Sequence, residues 1–140
     1  MARLVLTDAS VEINGANLSE FITSVAISTS EDVVDTTGMS SAGARTRVAG
    51  LSDNSLTLEF NQDFATSGPE ATINAAGASL VGTNPTIIIK PTSAAVSASN
   101  PSYSFTAVVA EWQVLSAAVG ELSTISASWP ISGAITKAVA

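Results

Sequence analysis

The side chains here that could do chemistry are few and mostly acidic. Glu59 and Asp63 stand four apart in an alternating stretch, Glu31, Asp32 and Asp35 cluster upstream, and Arg45 and Arg47 follow a run of small residues. On one strand face, Glu59 and Asp63 would lie about 13 Å apart, wider than the roughly 5–9.5 Å that separates glycosidase carboxylates. The 31–35 acids lack the regular alternation and distal glutamate of a calcium-binding loop, so they read as solvated loop charge. Gly38-Met39-Ser40-Ser41-Ala42-Gly43 lacks the lysine of a phosphate-binding loop, and its glycines read as sources of flexibility. The chain has no His and no Cys. That removes the Ser-His-Asp arrangement, the thiolate nucleophile and most zinc sites, and leaves the many serines without an activating base. No catalytic, cofactor-binding or metal-binding residue is expected, and the chain does not read as an enzyme.

Arg45 and Arg47 are two of only five basic residues. Residues two apart on an extended segment face the same way. They either pair with the acids at the other end of their own loop, a bond worth little if exposed, or meet the acids of neighbouring copies. Both readings stand. Trp112 and Trp129 sit in stretches of apolar alternation and read as packing residues rather than a sugar-binding platform.

The elements that must position these side chains are mainly β. Two long strands, 21–29 and 54–64, flank a polar loop over 31–50, far longer than the usual hairpin connection of about 2–5 residues. In the second strand Leu56, Leu58, Phe60 and Phe64 point one way and Ser55, Thr57, Glu59, Asn61 and Asp63 the other. In the first, Val25 and Ile27 take the core side, and Ser24, Ala26 and Ser28 form a small polar face. Shorter strands are expected at 4–6 and at 10–13, the latter followed by a tight turn at Asn14-Gly15. Further strands are expected at 86–90, at 102–115 with a bulge near Ala110 and Glu111, and at 122–130. Ser67, Pro69 and Glu70 announce one amphipathic helix over about 68–81, with Gly77 placed for close packing on a sheet. Residues 131–140 read as a small-residue tail. The sum is an antiparallel β-sandwich or half-open barrel of about seven strands with one flanking α-helix and a long inter-strand loop, in a single domain spanning 1–140.

The totals agree with a non-catalytic role. A net charge of −7 with five basic residues argues against a phosphate-gripping surface. No apolar run approaches the roughly 18 residues of a membrane span, and the opening apolar stretch is too short for a signal peptide. A soluble protein made in a cytoplasm is expected. Charged residues make up 12%, about half the usual share of a soluble domain, which suits a subunit whose faces are covered by copies of itself.

Three stretches carry a family resemblance. Ala2-Arg3-Leu4-Val5-Leu6-Thr7-Asp8 with Val11-Glu12-Ile13-Asn14-Gly15 opens the chain. Asp35-Thr36-Thr37 and Ala44 to Leu51 lead into Ser55-Leu56-Thr57-Leu58-Glu59-Phe60 with Asp63-Phe64, and Trp129-Pro130-Ile131-Ser132-Gly133 closes it. In texture and order, over nearly the whole chain, the sequence resembles the major tail tube proteins of long-tailed bacteriophages. The resemblance implies a structural virion protein, assembled in the host cytoplasm, whose hexameric rings stack into a hollow tail tube. It implies that DNA passes through without specific binding, that tail proteins meet the tube ends, and that the long loop reaches the adjacent ring. On that basis Asp32, Asp35, Arg45 and Arg47 are candidates for contacts between subunits or rings. The polar alternation nominates Ser24, Ser28, Thr57, Glu59 and Asp63 as lumen-facing. Two other readings remain: a surface or adhesin-like β module without catalytic activity, and the inner tube of a contractile tail.

Overall fold

The computed structural model describes residues 8–39 and 42–140; the strand expected at 4–6 lies outside them. Among the described residues the fold is one open antiparallel sheet of seven strands: β1 (Ser10–Ile13), β2 (Ala16–Asn17), β3 (Ile22–Asp35), β4 (Arg47–Asn61), β5 (Thr86–Lys90), β6 (Ser102–Ala107) and β7 (Thr124–Ala138). Their spatial order is β2-β1-β5-β6-β7-β4-β3. A short helix, α1 (Pro69–Ile73), joins β4 to β5. Among the described residues, no helix is long and apolar enough to cross a membrane.

The alternation in β4 and β7 builds the core. Leu56 lies opposite Trp129, Leu58 opposite Ala127 and Phe60 opposite Ile125, and all six side chains are buried. Such directly opposed side chains pack against one another across the two strands. Val11 and Ile13 of β1, Ile87 and Ile89 of β5, Phe105 of β6 and Ile73 of α1 join the same cluster. The sheet curls as it goes. Val25 and Ile27 of β3 come round to line one groove with Ile89 and Tyr103, although β3 shares no ladder with β1, β5 or β6. This is the half-open form of the expected architecture. The Asn14-Gly15 turn is also as expected: both residues have positive φ, 52° and 84°, as a two-residue hairpin turn requires.

Four expected boundaries change. Nearly half of the loop over 31–50 is strand: β3 continues to Asp35 and β4 begins at Arg47, leaving 36–46 as the connection. Glu31 pairs with Ser52, Val33 with Ala49, Val34 with Val48 and Asp35 with Arg47. This ladder stands clear of the rest of the sheet with both faces exposed, so no buried side imposed an apolar alternation that could be read.

The helix over 68–81 shrinks to 69–73, capped by Gly68 with no side-chain hydrogen bond. Ser67 is not its cap, and the Glu70 carboxylate turns elsewhere. Asn74 leaves helical geometry at φ −119° and Gly77 takes φ +75°. Leu80 still reaches the core, held by its N–H to the Ile73 carbonyl at 2.8 Å.

The strand 102–115 ends at Ala107, and its register shift lies between Ser104 and Thr106 rather than near Ala110 and Glu111. Residues 108–113 nonetheless run beside β7. The Glu111 and Gln113 side chains accept from the Ser128 and Ser126 N–H groups at 3.0 and 3.5 Å, occupying an edge that a backbone ladder would otherwise fill. Finally, the 131–140 tail is largely strand, because β7 runs on to Ala138 and pairs with β6 as far as Ser102.

Candidate assembly surface

The far ends of β3 and β4, with the 36–46 connection, form a two-stranded arm. Threonines close its tip. Thr36 donates its N–H to the Thr46 carbonyl at 2.9 Å, and their hydroxyls meet at 2.9 Å. Thr46 N–H donates to the Thr37 hydroxyl at 3.0 Å. Asp35 accepts from the Thr37 N–H at 2.8 Å and from Arg45 Nη1 at 3.1 Å. Thr37, through its hydroxyl and its N–H, holds the Asp35 carboxyl below its ordinary 3.8, and Arg45 adds a smaller push in the same direction. Arg45 and Asp35 therefore pair within the chain, in an exposed bond worth little by itself. Arg47 lies directly opposite Asp35 in the ladder and makes no ion pair among the described residues. Asp32 sits at a bulge between Glu31 and Val33. There its Cβ and the Val34 side chain approach Gly50 so closely that a Cβ on Gly50 would lie 3.3 and 3.2 Å from them.

The arm also shows what charge-based reading passed over. Val33, Val34, Val48 and Leu51 are all exposed. In the ladder Val34 and Val48 share one face, and Val33 and Ala49 share the other. The β-branched run was the available signal, hidden inside what read as a polar loop.

The polar side of the sheet brings four of the five nominated lumen residues together. Ser24 lies opposite Glu59, Ala26 opposite Thr57 and Ser28 opposite Ser55. On the other side of β4, Glu59 faces Ser126 and Thr57 faces Ser128. Cross-strand partners share a face, so Ser24, Ser28, Thr57 and Glu59 belong to one exposed surface of small hydroxyls with a carboxylate in it. Asp63 does not belong there. β4 ends at Asn61, and Asp63 lies in the following turn, where its carboxylate accepts from the Ala65 N–H at 2.8 Å.

Glu59 and Asp63 are thus not a carboxylate pair on one strand. Among the described residues no group of three or more acids could hold a metal ion. Both indoles turn into the fold. Trp129 is buried and donates to the Glu111 carbonyl at 2.9 Å. Trp112 packs edge-on against Phe60, with ring centroids 5.3 Å apart. Its Nε1 donates to Glu70 at 2.7 Å, a carboxylate that also accepts from Asn74 at 2.9 Å and from Gln62 at 3.4 Å.

No protein-family model and no curated protein matches the sequence. Solved structures do. A chain of the sheath–tube complex of an extracellular contractile injection system (PVC), in its extended state, superposes with a TM-score of 0.71 at 10% identity, over 99% of this chain and 93% of that one. A chain of the virion of a native gene transfer agent gives 0.68 at 13% identity, over 94% and 96%. A chain of the tail of an empty gene transfer agent particle, refined with C6 symmetry, gives 0.61 at 15%, over 91% and 92%. Identity this low carries the fold alone. The fold observed, a curled, open antiparallel sheet, is consistent with the one implied by the tail-tube resemblance and is shared with these chains of a gene transfer agent virion, a gene transfer agent tail and a sheath–tube complex.

Proposed function

We propose that this chain is a structural subunit of a virion tail, assembled in the host cytoplasm, which forms stacked hexameric rings enclosing a hollow tube for DNA. The observation that carries the reading is the free edge of the sheet. β3 is a 14-residue edge strand with no neighbour on its outer side among the described residues. A long open edge is a liability in a monomer and is ordinarily blunted or covered; a neighbouring copy adding its own strand removes it. The shared fold with tail and tube chains supports the same reading.

In this arrangement the hydroxyl-rich face around Ser24, Ser28, Thr57 and Glu59 lines the lumen. A carboxylate there repels DNA phosphates, and serine and threonine offer no fixed positive charge, so DNA slides without being held. The arm, through Asp32, Asp35, Arg45 and Arg47, serves contacts between subunits. The role is structural rather than catalytic. Likeness to a chain of a sheath–tube complex favours, as a second reading, an inner tube that works inside a sheath.

Negative-stain microscopy of the purified full chain at rising concentration tests the proposal. Rings or hollow tubes with sixfold end views are expected. A monodisperse monomer at high concentration would overturn it.

A further inference from the structure

Residues 110–117 run beside β7, yet no backbone group in them bonds another backbone group among the described residues. All but Trp112 are exposed. Backbone N–H and C=O groups ordinarily find partners, and here a strand lies alongside. Val108 donates its N–H to the Pro130 carbonyl at 2.9 Å, as a continued β6–β7 ladder would. Beyond that point the Ser128 and Ser126 N–H groups meet the Glu111 and Gln113 side-chain oxygens, at 3.0 and 3.5 Å, instead of carbonyls. In an antiparallel strand the N–H and C=O of one residue point to the same side. The Ser126 and Ser128 carbonyls therefore face the segment too, and no backbone donor from 110–117 reaches them. The spacing is already that of a ladder. From Val108 to Glu111 is three residues and from Pro130 to Ser128 two, the offset of a single β-bulge. From there to Gln113 and Ser126 the steps match. Three contacts keep the segment in place: Trp129 Nε1 on the Glu111 carbonyl at 2.9 Å, Gln62 Nε2 on the Val114 carbonyl at 2.7 Å and Trp112 Nε1 on Glu70 at 2.7 Å.

We propose that residues 110–115 are a strand in reserve, held open in the free subunit by the Glu111 and Gln113 side chains and zipped onto β7 when subunits assemble. In the closed form Glu111 and Ser128 exchange backbone bonds, as do Gln113 and Ser126, and the two side chains are released. The change is small. The Glu111 carbonyl already sits at Trp129, and its second lone pair can accept from the Ser128 N–H without giving up the indole. Each serine N–H trades one acceptor for another, while the Glu111 and Gln113 N–H groups and the two serine carbonyls gain partners. Against that gain stands the entropy of ordering an exposed segment, so neither form wins by a wide margin. The inference rests on the self-assembly reading, because assembly supplies the bias. A neighbour's edge strand adds to a straight strand and finds none on a segment whose backbone bonds are unmade, so it favours the closed form. Closure also sets Glu111 and Gln113 on the face of Ser126 and Ser128, shared with Thr57 and Glu59. Trp112 stays on the opposite face, where it already packs on Phe60.

Amide hydrogen exchange resolved to single residues, on the free and the assembled full chain, tests the switch. In the free subunit the Glu111 and Gln113 amides should exchange as fast as those of Trp112 and Val114. In tubes they should slow by about 100-fold or more. Glu111→Ala with Gln113→Ala removes the acceptors of the open form and none of the closed one. In that double variant the amides at 111 and 113 should slow even in the free subunit, those at 112 and 114, which point away from β7, should stay fast, and tubes should form at a lower concentration. Glu111→Gln keeps an acceptor and should behave as the unaltered chain. Tubes whose 111 and 113 amides exchange as in the free subunit overturn the switch while the tube reading stands, as does slow exchange there in the unaltered free subunit. A double variant that loses its fold by circular dichroism shows the two side chains to be structural props, and one that keeps all four amides fast shows that no strand is waiting; either overturns the switch. If nothing assembles, the tube reading fails, and the double variant alone decides: the alternating pattern upholds the closed strand and its absence removes it.

Discussion

Gly68 shows how one position can constrain a turn without unusual backbone angles. Its φ is −80°, open to any residue, yet a Cβ there would collide with the Asp63 carbonyl oxygen. That oxygen belongs to the backbone and cannot swing aside. Gly68→Ala is expected to cost about 1–3 kcal/mol, the usual penalty of forced overpacking, read as a lower urea midpoint with an unchanged slope. Asp35 makes a different prediction. Its folded-state pKa lies below 3.8, so its bonds contribute fully above that value and are lost as the pH falls through the lowered one. The Thr37 amide resonance should therefore titrate below pH 3.8, while core resonances of β4 and β7 stay in place. An Asp35 that titrates at or above 3.8 would show that the tip bonds do not hold in solution.

Elements differ in how plainly the sequence announces them. Leu56, Leu58 and Phe60 against Ile125, Ala127 and Trp129 form strands whose alternation is visible because one side is buried. The arm was not visible, because both of its faces meet solvent. The expected helix failed for a local reason: Ile73 and Leu80 fall at helical spacing, but Asn74, Gly77 and Ser79 prefer turns, and the Asn74 and Ser79 side chains bond locally at 2.9 and 3.1 Å. Glu70, read as part of a capping box, instead ties α1 to Trp112 and Gln62. Glu70→Ala leaves the half-buried Trp112 N–H without its acceptor and should cost about 1–3 kcal/mol. Trp112 fluorescence should change with it, whereas a structurally idle carboxylate would leave both stability and emission unaltered.

For the whole molecule, the arm's charges matter only if copies meet. Arg45 is held by Asp35 in an exposed pair, so its loss should barely affect the folded monomer. Reversing Arg45 and Arg47 to Glu places five acids on the arm and none of its cations. The double variant is expected to remain folded by circular dichroism and monomeric by sedimentation, and to form no tubes. Normal tubes from it would remove the arm charges from the assembly mechanism.

Composition and alternation alone determined a mainly β protein of about seven strands, without the His or Cys of common catalytic sites, with one polar sheet face and a conspicuous charged insertion between its two longest strands. Those properties follow from residue type and from period-two burial, and both are written locally. Tertiary structure decided the rest. It drew both ends of the insertion into a ladder, paired Asp35 with Arg45, drew Asp63 off the sheet face and bonded Gln62 to Val114. It also left an apolar cluster exposed on the arm. Each of these depends on which distant segments lie side by side, and exposed segments carry little periodic trace of their neighbours. The acids and arginines that looked like a loop in search of chemistry belong to an arm whose apolar flanks are left for another molecule to cover.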